Sequence, residues 1–183
     1  MSAPTKLMTY DDLLTLPDDG QRYELFDGVL IVPAAPSFYH ARLVSRLFRV
    51  LDAYLSPLQL GDNLFTGPVD VRLTSLRVVQ PDLLYIRPDR PEAFASPPAI
   101  KGAPDLAVEV LSSNRHHDLV VKLGYYEQAG VREYWIVDPE DETLTLYVLV
   151  DGRFVEQPRD GDVFRSVVLP GLEVHIAAMF ANV

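Results

Sequence analysis

Two short segments do most to limit how this chain can fold: "VVQPDLLYI", Val78 to Ile86, and "LAVEVLS", Leu106 to Ser112. Both read as strands buried on both faces, because apolar residues run on without the alternation of a half-exposed strand. Each run nevertheless holds one acid, Asp82 in the first and Glu109 in the second. A buried carboxylate without a partner is very unfavourable. Asp82 therefore requires a cation, a backbone turn or a metal beside it. If the two strands are neighbours, their carboxylates repel unless a divalent cation or a proton lies between them.

The remaining elements follow from local signals. Thr9 is a good N-cap, and "YDDLLTL" after it reads as a short helix ending before Pro17. "RYELFDGVLIV" reads as a hairpin around an Asp27-Gly28 turn. Ser37 caps a helix running to about Leu55, with Leu43, Val44, Leu47, Phe48, Leu51 and Leu55 on one face and Arg42, Arg46 and Arg49 on another. "LFTGPVDVRL" and "VVQPDLLYI" read as strands, and the proline-rich stretch 87–104 as an irregular surface connection. "DLAVEVLS", a helix over "HDLVVKLGYYEQAG" and the strand "REYWIVDP" form a candidate right-handed crossover unit. A second hairpin, "TLTLYVLVDGRFVEQ", turns at Asp151-Gly152, and the apolar tail "SVVLPGLEVHIAAMF" is expected to dock on the body. This order predicts an α/β or α+β fold, a mixed central sheet flanked by helices.

Composition narrows the class. The 183 residues suit one domain with a single core, 48% of them hydrophobic and 23% charged. No apolar run reaches the length of a membrane span, and the N-terminus has no apolar signal core, so a cytoplasmic protein is expected. The absence of cysteine excludes disulfides and thiolate metal sites, leaving carboxylate and imidazole as metal ligands. A net charge of -10 argues against tight non-specific binding to a phosphate backbone, not against clustered carboxylates holding Mg²⁺.

Mg²⁺ suits Asp82 and Glu109, since it takes hard oxygen ligands, often one or two carboxylates with waters and a substrate phosphate. Lys122 follows on the next helix, 13 residues after Glu109 and four after Asp118. There it can orient a water or stabilise developing negative charge. Each residue also has a plainer reading. Asp82, after a proline, suits a turn cap or an arginine partner. Glu109 suits a buried ion pair, and Lys122 a weak surface pair with Asp118. Gln80 shares a sheet face with Asp82 and is a candidate cleft residue. His40 is another, set against a structural role at a helix start. His116 and His117 lack metal-ligand spacing and read as surface residues. Tyr125, Tyr126 and Trp135 read as core, and Asp138, before Pro139, as a turn former.

The series "YELFDG", "VVQPDLLYI", "GAPDLAVEVLS", "HDLVVKLGYYEQAGVREYWIVDP" and "LPGLEV" resembles the Uma family (Uma-two proteins) of the PD-(D/E)xK restriction-endonuclease-like superfamily. The resemblance spans about Thr9 to the end. It implies a restriction-endonuclease-like sheet of four or five strands with flanking helices and hairpin additions, and a metal-dependent phosphodiesterase site. Pro81-Asp82 matches the superfamily's "PD" and Glu109 its second acid. Where the superfamily has lysine two residues later, this chain has Leu111. The resemblance implies that the lysine has moved to the following helix, at Lys122. Glu24, in "YELFDG", matches another recurrent acid; its plainer reading is a solvent-facing strand acid.

The expectation is a Mg²⁺- or Mn²⁺-dependent endonuclease acting on nucleic acid, DNA in the first instance. Asp82 and Glu109 hold the metal, Lys122 and Glu24 assist, and the protein forms a homodimer through its β-rich edges and apolar tail. The competing expectation is a non-catalytic descendant of the fold that binds a protein or a nucleic acid.

Overall fold

The computed structural model describes residues 6–112, 115 and 117–181, with the side chain of 118 left out. The expectations for His116 and for an Asp118–Lys122 pair lie outside these. Helix α1 spans Tyr10–Leu13, with Thr9 and Asp12 forming a reciprocal capping box. Strands β1, Glu24–Phe26, and β2, Val29–Ile31, make the expected hairpin. Asp27 and Gly28 occupy its turn at φ 50 and 78, the left-handed pair a tight hairpin needs. Helix α2 runs Phe38–Leu55, and the Ser37 side chain accepts a hydrogen bond from the His40 N–H.

The two runs "LFTGPVDVRL" and "VVQPDLLYI" each split into a pair of short strands. The first becomes β3, Leu64–Thr66, and β4, Val71–Arg72; the second becomes β5, Val78–Val79, and β6, Leu83–Tyr85. The two halves of each run lie in different sheets. Among the described residues one sheet has the order β2-β1-β5-β4-β7 and a larger one the order β11-β10-β9-β8-β6-β3. Here β7 is Ile100–Lys101, β8 Leu106–Val110 and β9 Glu133–Asp138. The hairpin of β10, Thr143–Val150, and β11, Arg153–Glu156, lies at one edge of the larger sheet. The chain thus builds a mixed α+β fold as expected, with a larger sheet of six strands rather than four or five. Strand β7 lies within the stretch expected to be irregular and pairs in parallel with β4.

Proline explains the splits. It offers no N–H to a ladder and is poorly tolerated in a central strand. Pairing stops before Pro68 and Pro81, and the chain crosses from one sheet to the other there. Strand β8 pairs antiparallel with β6 and parallel with β9, joined by a helical crossover. That crossover opens as a π-helical turn, His117–Lys122, and continues as α3, Leu123–Ala129, ending at Gly130 with φ 87.

Strand alternation sends residues to two cores. Leu106, Val108 and Val110 face Leu43, Leu47, Leu51 and Leu55 of α2. The tail joins this face: β12, Val163–Arg165, β13, Glu173–His175, and α4, Ile176–Phe180, bury Phe164, Val174, Ile176 and Met179 there. On the opposite face Ala107 and Leu111 meet Tyr126 of α3 and Phe26, Val71 and Val79 of the smaller sheet. Each face of β8 is covered, which accounts for its nearly unbroken apolar sequence.

Glu133 ties the tail to the sheet. It is fully buried, and accepts from the Trp135 indole N–H at 2.6 Å and from the Val167 and Val168 N–H groups at 2.7 and 2.8 Å. Glu133→Gln puts an NH₂ donor against one of these donors. It is expected to cost roughly 2–3 kcal/mol, read as a lower urea midpoint at unchanged slope. No described helix is long and apolar enough to cross a membrane.

Candidate active site

The passage between sheets places the first acid. Gln80, Pro81 and Asp82 link β5 to β6, so Asp82 stands at a crossing rather than inside a strand. Beside it, the Gly67 N–H donates to the Asp82 carbonyl at 2.8 Å. A Cβ at Gly67 would lie 2.8 Å from the Pro81 carbonyl oxygen, a distance backbone atoms cannot accept. Gly67→Ala is therefore expected to push Asp82 out of place and lower any activity at least tenfold while the core stays folded; single-turnover rates beside thermal unfolding check it.

The Asp82 carboxylate is held through one oxygen. Its Oδ2 accepts from the Val110 N–H at 2.8 Å and lies 3.1 Å from His40 Nε2, which donates when protonated. The other oxygen, Oδ1, makes no hydrogen bond among the described residues. Val110 neighbours Glu109 on β8, so one strand both anchors Asp82 and carries the second acid. The Asp82 side chain keeps 15% of its surface exposed, whereas Glu24 and Glu109 keep 4% each.

Lys122 joins those two glutamates. Its Nζ lies 3.0 Å from Glu24 Oε1 and 3.0 Å from Glu109 Oε1, with 6% of the side chain exposed. Glu24 Oε1 also accepts from the Gln80 N–H at 2.7 Å, and Glu109 Oε1 from the Tyr126 hydroxyl at 2.8 Å. Burial, and then the Glu109 charge, push the Tyr126 hydroxyl well above the ordinary tyrosine range, so it remains a donor. The lysine comes from the last residue of the π-helical turn. Leu111, where the superfamily pattern has its lysine, is packed in the core beside Tyr126.

Glu24, His40, Gln80, Asp82, Glu109, Val110 and Lys122 line one cavity of about 290 Å³, with Pro33 and Pro36 of the segment after β2 also in its wall. The oxygen chemistry of its walls fits a hard cation. Glu24, Asp82 and Glu109 face it, with Lys122 and Arg22 in the same wall. Gln80 Nε2 donates to Asp70 Oδ1 at 2.8 Å, which turns its carboxamide oxygen the other way, and that oxygen is buried with no hydrogen-bond partner. An orphaned buried acceptor calls for a water or an ion beside it. Among the described residues no group of three His, Cys, Asp or Glu side chains is arranged to hold an ion. Two carboxylates with waters and a substrate phosphate still meet the ordinary needs of Mg²⁺.

The structure thus brings together Glu24, His40, Gln80, Asp82, Glu109 and Lys122 on one cavity. Glu24 is buried, not a solvent-facing strand acid, and Lys122 is buried, not a surface lysine. His117, read from the sequence as a surface residue, lines the same cavity and packs edge-on against Phe26 at 5.0 Å. Its place follows from the π-helical turn, which has no clear sequence signature. Arg46, placed by the sequence on the arginine face of α2, donates to the Met179 carbonyl at 2.7 Å and holds the tail. Tyr126, read as core, is core and also bonds Glu109. Asp138 is a turn former as expected, accepting from the Glu140 and Asp141 N–H groups, and Arg115 holds its carboxyl below the usual range.

The comparisons agree with this architecture. A family model, Uma2, described as "Putative restriction endonuclease", matches residues 10–178. The fold is similar to the crystal structure of "a putative nuclease belonging to DUF820" from Anabaena variabilis. That similarity has a TM-score of 0.76 at 20% identity, over 95% of this chain and 98% of that one. No curated protein matches the chain.

Proposed function

The chain belongs to the Uma2 family, and from that premise we propose that its cavity hydrolyses phosphodiester bonds of nucleic acid with a divalent cation. The observation that carries this reading is the buried Glu24–Lys122–Glu109 bridge facing the same cavity as Asp82. Asp82 and Glu109 would hold Mg²⁺ or Mn²⁺. When bound, the cation supplies a Lewis acid for a phosphoryl oxygen and lowers the pKa of a water. His40 and the Val110 N–H fix the Asp82 carboxylate, and Tyr126 and Lys122 fix Glu109. Lys122 presents a fixed positive charge to the negative charge that develops on the phosphate in the transition state. Glu24 holds the lysine in place, and the Gln80 carboxamide oxygen accepts a hydrogen bond from a water in the cavity. Pairing of two copies belongs to this proposal, through the β10–β11 edge where Val150 and Val155 are exposed.

A second reading, a binding module without catalysis, is favoured by one observation. Lys122 already balances charge at the glutamates, and no three-ligand group is present among the described residues. Calorimetric titration of Mn²⁺ separates the two. The hydrolytic reading expects one saturable site in the wild type, lost in Glu109→Gln. A wild type indifferent to Mn²⁺ supports the binding module instead.

A further inference from the structure

We propose that the groove beside the acid cavity is a track for a single strand of nucleic acid, gripped by Arg22 and Arg49, with the partly buried Phe48 in the same wall as a base-facing ring. This deepens the proposed function and rests on the phosphodiester lying in the acid cavity. The groove has a volume of about 520 Å³ and is lined by Arg22, Phe48, Arg49 and Thr66, sharing His40 and Asp82 with the acid cavity.

Charge placement is the first argument. In a chain of net charge -10, arginines are readily taken up by acids. Arg77 pairs with Asp27, Arg90 with Asp105, Arg115 with Asp138, Arg153 with Glu127 and Arg165 with Asp160. Arg22 and Arg49 make no hydrogen bond or ion pair among the described residues, and both line this groove. Two uncommitted guanidiniums beside a carboxylate cluster suit an anion that runs on from it, and a phosphate backbone is such an anion.

Direction is the second argument. A cavity of about 490 Å³ adjoins the acid site through Pro36, His40 and Ser112 and carries Glu140, Glu142 and Arg115. That arginine is already bound to Asp138 and Glu140. This end repels phosphate, so the strand leaves the acid site along α2 and β3, past Arg49.

Strandedness is the third. Glu24, Glu109 and Lys122 are only 3–5% exposed, at the back of a cavity of about 290 Å³. A rigid duplex carries its phosphates on the outside of a cylinder too broad to enter a cavity of that size. An unpaired strand can, with a base against an aromatic ring and phosphates on flanking cations.

The test is fluorescence anisotropy in chelator, with labelled oligothymidylate, oligouridylate and a duplex of matching length as probes. At least one single-stranded probe is expected to bind about tenfold or more tightly than the duplex. Removing both arginines, Arg22→Ala with Arg49→Ala, should weaken that binding about tenfold. It should also flatten the dependence of log K on log salt by about 1.4, two single-strand phosphate contacts. Phe48→Leu should weaken it about fivefold. Arg49→Glu, a change at an exposed position, gives the same answer should the double variant fold poorly, and Glu140→Gln should leave binding unchanged.

Equal or tighter duplex binding, or binding indifferent to both arginines, overturns the track. Asp82→Asn separates this from the catalytic reading, since its single-strand binding should stay arginine-dependent while single-turnover cleavage falls at least about 100-fold. Arginine-dependent binding by a wild type that cuts nothing would sustain the track and sink hydrolysis. Cleavage with arginine-independent binding would do the reverse.

Discussion

Lys122→Met is expected to lower the stability of this protein by about 3–5 kcal/mol and to abolish cleavage. The cause is the pair of buried carboxylates. With the ammonium gone, Glu24 Oε1 and Glu109 Oε1 lose the cation that both approach at 3.0 Å. Two of their other donors, the Gln80 N–H and the Tyr126 hydroxyl, are neutral. At roughly 2–4 °C per kcal/mol for a chain of this size, the midpoint should fall by about 6–20 °C in a circular-dichroism melt. Adding Glu24→Gln and Glu109→Gln to Lys122→Met should return much of the loss, because the triple variant buries no charge there. It should recover none of the activity. A single variant that melts within 2 °C of the wild type would show that Lys122 is solvated, and the ion bridge with it would go.

Asp82→Asn is the opposite case, with a large effect on chemistry and a small one on folding. Asparagine keeps an oxygen to accept the Val110 N–H and fits the same space. What it loses is the negative charge at the only one of the three carboxylates with appreciable exposure, 15% against 4% for each glutamate. Single-turnover cleavage should fall at least about 100-fold, the scale of removing one electrostatic group aimed at a transition state. The melting midpoint should move by no more than a few degrees. Unchanged cleavage would exclude Asp82 from the chemistry. A collapse in stability would make it a structural carboxylate.

The candidate site was more legible in the sequence than the sheet that carries it. A lone acid in an apolar run is expensive enough to stand out, so Asp82 and Glu109 announced themselves. Lys122 followed from its place on the next helix and Glu24 from the resemblance, and the geometry sets their charged atoms 3.0 Å apart. Hairpin turns were readable because Asp27-Gly28 and Asp151-Gly152 require left-handed backbone that few other pairs supply. Strand membership was harder to see. The run from Val78 to Ile86 has the residues of one strand, and only Pro81 marks the change of sheet. A proline can end a strand, bend it or sit at its edge, so its presence alone does not say which. His117 and Glu133 escaped notice for a related reason. One depends on a π-helical turn, and the other on a tail that returns from more than thirty residues away.

The most direct measurement of the central claim is cleavage by the purified wild type. Labelled single- and double-stranded DNA and RNA are each incubated with Mg²⁺, with Mn²⁺ and with chelator. Metal-dependent products are expected from at least one single-stranded substrate, and none in chelator. No product from any substrate with either metal, or product that persists in chelator, would contradict metal-dependent hydrolysis.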